Sequence, residues 1–416
     1  MVQVYDGIVI GAGVMGASTA MHLASGGLMK HLLVLEKGPA AGSGSTGKSS
    51  ACIRQTYSHF EVSLMAYEAL QLFKNWQDFT GLAAPRANFV NCGVLFMLGK
   101  DDASLAQILD IHKRIGIDSA VLDPQQKRAI FPDVDFAAPP ADQPEADSSA
   151  EFEVTALHER EGGFADPVGT AEDMLEVATG LGAEVRFHAR VTKVLEEGGR
   201  TIGVEAIIGG NKETLYAPVV VNCAGPWAPG LNEASGHPLA QRLVPTRIQM
   251  VSKQFTERLK GPIPMVVDMV NGIYGRLESS GAQMLVGSVR EEDEREVVAD
   301  PDDYNDVADA PFREEMLTLL HHRVNTFKTR GNVTSYAGLY TVNQDDYHPI
   351  IDESELKGFY PVCGFSGHGF KLSPVVGAVV AKMVTGQWGR ARTDVPLDFF
   401  RKDRTPLKTN WGGVMA

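Results

Sequence analysis

The stretch Gly11-Ala12-Gly13-Val14-Met15-Gly16 constrains this chain more than any other. A β-branched run over residues 2–10 precedes it, helical composition follows over 14–24, and a buried-strand pattern returns at Leu32–Leu35. In that setting the glycines have separate tasks. Gly11 permits a tight turn, Gly13 lets a pyrophosphate approach the backbone at the helix N-terminus, and Gly16 lets helix and strand pack closely. Val14 and Met15 open the helix. Glu36 stands 20 residues beyond Gly16, at the end of the second strand, where a carboxylate accepts hydrogen bonds from a ribose hydroxyl, and Lys37 follows it. The same context argues against a signal core or membrane span over 7–24, because Asp6 precedes it instead of a cation and its glycines fall at turn spacing. No integral membrane segment is expected.

Composition narrows the function classes. Lys plus Arg number 38 against 52 Asp plus Glu, a net charge of −14, which argues against a nucleic-acid partner. With 44% hydrophobic and 22% charged residues in 416, the chain reads as an ordinary globular protein of two or three domain-sized units. Its four cysteines form no C-x-x-C pair, so no metal site is expected, and their scarcity fits a reducing compartment, with the cytoplasm as the default.

The elements expected along the chain are a helix over 62–79, a strand over 93–99, a helix over 103–115 and a solvated loop over 139–150. A helix over 169–181 and strands over 184–187, 191–195 and 215–221 return to α/β composition. Residues 247–289 read as an antiparallel sheet that includes strands over 273–277 and 283–289. An acidic loop over 291–309 and helices over 312–327 and 372–385 complete the chain. The fold class is α/β, α+β overall, with a Rossmann-like domain and an antiparallel-sheet domain.

The fingerprint alone leaves NAD and FAD both open, since each presents adenosine diphosphate to the same βαβ unit. The small-residue run Gly42-Ser43-Gly44-Ser45-Thr46-Gly47 could lie along a phosphate or a flavin ring, and taken alone is an ordinary flexible loop.

Four stretches together resemble the D-amino-acid-oxidase-type flavoprotein family, in its branch of sarcosine oxidases and dimethylglycine dehydrogenases. They are the fingerprint with Val34-Leu35-Glu36-Lys37-Gly38, then Ser49-Ser50-Ala51-Cys52-Ile53-Arg54-Gln55, Asn222-Cys223-Ala224-Gly225-Pro226-Trp227, and Cys363-Gly364-Phe365-Ser366-Gly367-His368-Gly369-Phe370-Lys371. The resemblance implies FAD, bound by a discontinuous domain of residues 1–85, 155–235 and 335–416, and a substrate domain of residues 86–154 and 236–334. It implies that Val191 contacts the adenine side, Ala224 and Gly225 the pyrophosphate region, and Gly367, His368, Gly369 and Phe370 the ribityl chain and ring edge. Ser45, Thr46 and Ser49 would line other approaches to the ring.

Arg54 and Lys371 fall where this branch holds a substrate carboxylate, and a guanidinium plus an ammonium suit one anion. The implied activity is oxidation of the C–N bond of a small, N-substituted amino acid to an imine that water hydrolyses. Tyr274 and Tyr340, on expected strands, would be aromatic walls for a small amine or ordinary core packing. His368 is expected to support the flavin loop, and His59 and His348 to be structural. Gly338 stands where the monomeric sarcosine oxidases carry their flavin-bound cysteine, so FAD is expected without a covalent link there. Leu285 stands where they carry an oxygen-activating lysine, which implies a dehydrogenase that passes electrons to another acceptor or partner subunit. Two competing readings are a non-catalytic FAD-binding subunit and a nicotinamide-dependent dehydrogenase.

Overall fold

The structure is a computed structural model that describes residues 3–99, 104–136, 154–255, 263–278, 281–324 and 331–407. The loop expected over 139–150 lies outside the described residues, as do residue 2, residue 103 and the last three residues of the helix expected over 312–327.

Two uncharged runs, Gly7–Ile10 and Leu32–Leu35, are buried at every position, which only a sheet covered on both faces can provide. They lie side by side and parallel in a six-stranded sheet. Its order is Ile350–Ile351, Phe359–Cys363, Val220–Asn222, Gly7–Ile10, Leu32–Leu35, Glu184–Arg186, and only the first joins antiparallel. The two-residue period of a strand sorts the side chains. Val9 and Val34 face a helical layer in which Val14–Ala24 packs between Gly369–Thr385 and Pro167–Gly180. Ile8, Ile10, Leu33 and Leu35 face a three-stranded sheet of Ala189–Glu197, Arg200–Ile208 and Asn211–Tyr216. Each such aliphatic side chain contributes roughly 1.5–3 kcal/mol by leaving water.

The second large sheet has eight strands, in the order Val333–Asn343, Leu243–Gln254, Gln283–Ser288, Ile273–Glu278, Met265–Asp268, Val94–Leu98, Thr155–Glu159, Ser119–Val121. Every join is antiparallel except that of Met265–Asp268 with Val94–Leu98. Ala310–Arg323 covers one face of it. Thr155–Glu159 and Val333–Asn343 belong to this sheet although most of their residues fall in the segments expected to bind FAD, so the chain crosses between the sheets at other points than expected.

Three expected elements are corrected. The helix over 62–79 is two helices, Phe60–Lys74 and Trp76–Thr80, because Asn75 leaves helical geometry and its Nδ2 donates to the Gln71 carbonyl at 2.8 Å. The strand over 215–221 is split, with Asn211–Tyr216 in the three-stranded sheet and Val220–Asn222 in the parallel one; Pro218, which cannot donate to a ladder, sits between them. The first strand begins at Gly7, and Val4 makes only an isolated bridge to Tyr216. Among the described residues no helix is long and apolar enough to cross a membrane.

Candidate active site

The turn at the head of Val14–Ala24 is built of contacts that exclude side chains. Gly11 has φ +97°, and a Cβ there would stand 2.7 Å from the Cys223 carbonyl oxygen, while one on Gly16 would stand 1.8 Å from the Gly11 carbonyl oxygen. Ala224 Cα lies 3.5 Å from the same Gly11 position, so Ala224 packs against the fingerprint turn. Glu36 holds the turn from below, its two carboxylate oxygens accepting the N–H of Ala12 at 2.7 Å and of Gly38 at 2.6 Å. Thr46 Oγ1 accepts from Val14 N at 3.1 Å, which brings the small-residue loop over the helix N-terminus. Ser45 Oγ, buried nearby, has no hydrogen-bond partner among the described residues. Close-packed glycines at a helix N-terminus, with a buried hydroxyl nearby that no described residue satisfies, fit the phosphates and ribityl chain of a bound FAD.

The loop 364–369 closes toward the same place. Met15 Cε lies 2.9 Å from where a Gly369 Cβ would be. Ser366 N donates to the Thr341 carbonyl and its Oγ accepts from Asn343 N, both at 3.0 Å, tying the loop to Val333–Asn343. His368 is 3% exposed and meets the Tyr57 ring edge-on at 5.2 Å. Phe370 turns its ring into the core against Phe73, so only its backbone faces the loop.

Arg54 and Lys371 are each 6% exposed. The Arg54 guanidinium lies 4.1 Å over the Tyr57 ring and donates to the Thr56 carbonyl. Lys371, in the first turn of Gly369–Thr385, has no hydrogen-bond or ion-pair partner among the described residues. Burial pushes its ammonium down to about 7, and the Arg54 charge adds to that fall. Two buried cations so placed lower their cost when an anion binds between them.

Sequence reasoning missed what holds Arg54 in place. Glu159, fully buried at the end of Thr155–Glu159, accepts from Gln55 N, Thr56 N and Thr56 Oγ1, and Thr56 Oγ1 continues to His112 Nε2 at 3.1 Å. Burial raises the Glu159 carboxyl and these hydrogen bonds oppose the rise. Nothing near Glu159 in the sequence marks it, since its partners are more than 100 residues away.

Tyr274 and Tyr340 do come together with Ser45 and Ser49, around a small cavity that also takes in Ser50 and Met250. The Tyr274 hydroxyl stands 3.2 Å from both Ser50 Oγ and Met250 Sδ. Burial raises both phenols well above the usual value, so each stays neutral. Ser49 also shapes its loop, with Oγ accepting from Ala51 N at 3.0 Å.

Other expected residues sit differently. Lys37 turns away from the fingerprint, its ammonium pairing with Asp302 and lying 3.4 Å over the Trp227 ring. Val191 packs partly into the core beneath the parallel sheet. Gly225, with φ +53°, opens the short turn Gly225–Trp227. Leu285 is buried at 3% exposure, and Gly338 lies against the stem of Lys48.

Residues 6–383 match the model of the family described as DAO, FAD dependent oxidoreductase. The chain belongs to this family. Human mitochondrial sarcosine dehydrogenase is 27% identical over 403 residues, covering 91% of this chain, and the chain spans 39% of that protein's length. Monomeric sarcosine oxidase of Streptomyces avermitilis is 27% identical over 92% of this chain and 94% of its own. The crystal structure of L-proline dehydrogenase from P. horikoshii superposes with a TM-score of 0.78 at 23% identity, over 97% of this chain and 98% of that one. As a member of this family the chain is an FAD-dependent oxidoreductase, which sets the nicotinamide reading aside.

Proposed function

We propose that this oxidoreductase oxidises the C–N bond of a small, N-substituted amino acid to an imine, which water then hydrolyses. The observation that carries the reading is the pair Arg54 and Lys371, two buried cations of which the first bears electrostatically on the second, and the second has no anionic partner among the described residues. A substrate carboxylate supplies the missing anion. Tyr274 and Tyr340 then form the apolar wall that leaves room for a short N-substituent, and their raised phenols keep charge off that wall. Bound FAD supplies the acceptor for two electrons and a proton. The chain supplies position: one anchored carboxylate fixes the orientation of the reacting carbon, a contribution that can reach about 7–11 kcal/mol of a barrier in well-oriented systems. Relatives named for sarcosine, and solved relatives of the same fold named for glycine and L-proline, support a small amino acid as substrate.

In this reading Gly11, Gly13, Val14, Gly16, Glu36, Thr46, Ala224 and Gly367 hold the cofactor without a covalent bond, and partner subunits or another acceptor take the electrons. A relative named sarcosine oxidase subunit beta supports a partner subunit. Anaerobic mixing with sarcosine, dimethylglycine, glycine and proline, followed by flavin absorbance, tests the proposal. Bleaching by at least one is expected, with the substrate concentration needed rising at least about tenfold in Arg54→Met, the scale of one lost charged contact. Unchanged turnover of every carboxylated amine in Arg54→Met would remove the anchor.

A further inference from the structure

The acidic segment between Ser288 and Ala310 supplies no lining residue to the cavity beside Tyr274 and Tyr340, and touches it only through Lys48 and the charge of Glu294 on Tyr340. Its base is gripped by Arg247, a guanidinium with only 2% of its side chain exposed. Arg247 pairs with Glu296 at 2.8 Å and Asp309 at 3.0 Å and donates to the carbonyls of Asn305 and Val307. From that anchor on the eight-stranded sheet, the tip of the segment reaches across to the parallel sheet. Asp302 Oδ1 takes the Lys37 ammonium and, at 3.1 Å, the Trp227 indole N–H, while Oδ2 takes Arg190 Nη1 at 3.0 Å. Two residues on, the Tyr304 hydroxyl accepts from Lys48 Nζ at 3.1 Å, and Asp306 lies 3.6 Å from that ammonium.

The places of these partners in the chain are informative. Lys37 directly follows Glu36, Arg190 directly precedes Val191, and Trp227 comes two residues after Gly225. The Trp227 ring also lies against Gly44, the neighbour of Ser45. One carboxylate from the substrate side therefore gathers groups adjoining three of the elements expected to hold the adenosine and pyrophosphate end of FAD.

We propose that residues 300–306 are a latch that retains FAD, with Asp302 closing the adenosine end of its site through Lys37, Arg190 and Trp227. The proposal rests on FAD being held without a covalent bond. A single exposed ion pair contributes little, but three partners on one carboxylate share the cost of ordering it. A latch made of partly exposed charges opens as salt screens them. It is independent of the substrate carboxylate, whose two cations lie elsewhere.

The test uses the purified holoprotein, diluted into flavin-free buffer, with release followed by the rise of free-flavin fluorescence. Asp302→Asn should release FAD about three- to tenfold faster than the unaltered protein, tenfold corresponding to about 1.4 kcal/mol. Asp303→Asn, the same charge change on a neighbour without an ion pair among the described residues, should not. Salt gives a second reading that needs no variant. Release from the unaltered protein should quicken between about 0.05 M and 0.5 M sodium chloride, and that dependence should flatten in Asp302→Asn. Equal or slower release from Asp302→Asn, or equal acceleration by Asp303→Asn, overturns the latch alone. Flavin that stays with acid-precipitated protein overturns both the latch and the non-covalent reading.

Discussion

Tyr340 packs against Gly367: a methyl group on that glycine would stand 2.5 Å from the tyrosine ring. The contact joins the eight-stranded sheet to the loop that leads into Gly369–Thr385, and Gly367 meets it with φ +86°, a conformation that other residues adopt only under strain. Gly367→Ala therefore carries two penalties, and a loss of about 1–3 kcal/mol from the strain alone is expected in thermal unfolding. FAD affinity should fall with it. Adding Tyr340→Ala removes the clash but not the strain, so the double variant should recover part of the loss; a purely additive result would place the fault elsewhere.

Lys371 gives the site a pH signature. Its folded pKa of about 7 lies below the usual lysine value of 10.5, so between those limits the unfolded chain binds more protons than the folded one. The penalty for burying the charged amine is complete below pH 7, and stability therefore rises with pH across this window. Lys371→Met should gain stability over the parent most at pH 6, with the gain shrinking toward pH 10, as read by thermal unfolding. Binding runs the other way. An amine-free carboxylate, titrated by its effect on the flavin spectrum, should weaken at least about tenfold from pH 7 to pH 9 as Lys371 loses its proton, and Lys371→Met should flatten that slope. Among the charged groups around Lys371, Arg54 and Cys52 act on it, and neither cation nor thiol replaces the lost proton.

Glu159 is predicted to position Arg54 without touching substrate. Replacing it by Leu leaves the N–H groups of Gln55 and Thr56 without their acceptor in a fully buried place, a loss of about 2–4 kcal/mol in chemical denaturation. The carboxylate affinity should fall further than in Glu159→Gln, whose amide oxygen keeps one acceptor. Equal affinity in the two variants would show that Arg54 is held by other means.

Leu285 and Gly338 carry the prediction about electrons. With an aliphatic side chain at the first position and no thiol at the second, acid precipitation should leave the flavin in the supernatant. Stopped-flow reoxidation of the reduced protein by air should be at least about tenfold slower than its reduction by the preferred amine, because no cation at Leu285 favours charge developing on oxygen. Matching rates would identify an oxidase instead.

The turn at the head of Val14–Ala24 was legible in the sequence because part of its requirement is local: a Cβ at Gly16 collides with the Gly11 carbonyl five residues earlier. The 364–371 run was legible for a similar reason, its composition being dictated by a close approach of backbone to ring. Glu159 was not, since a carboxylate ending a strand looks like any exposed one until the fold buries it against residues 103 positions earlier. Asp302 was hidden by its surroundings, for an acidic run reads as a solvated loop unless its cations, Lys37 and Arg190, are known to converge on it. The division of strands between the sheets was missed because an alternating strand gives no sign of which sheet it will join, as Thr155–Glu159 and Val333–Asn343 illustrate.

The strand Val333–Asn343 and the loop stapled to it by Ser366 come late in the chain, while the turn at Gly11–Gly16 and the Thr46 hydroxyl that caps it lie within the first 46 residues. During synthesis the turn at Gly11–Gly16 emerges long before Val333–Asn343, and Lys371 follows later still. A chain stopped before Phe359 has its first βαβ unit but lacks Phe359–Cys363, an inner strand of the same sheet. The parallel sheet too is finished only when Phe359–Cys363 pairs with Val220–Asn222, so one late stretch of chain completes both sheets.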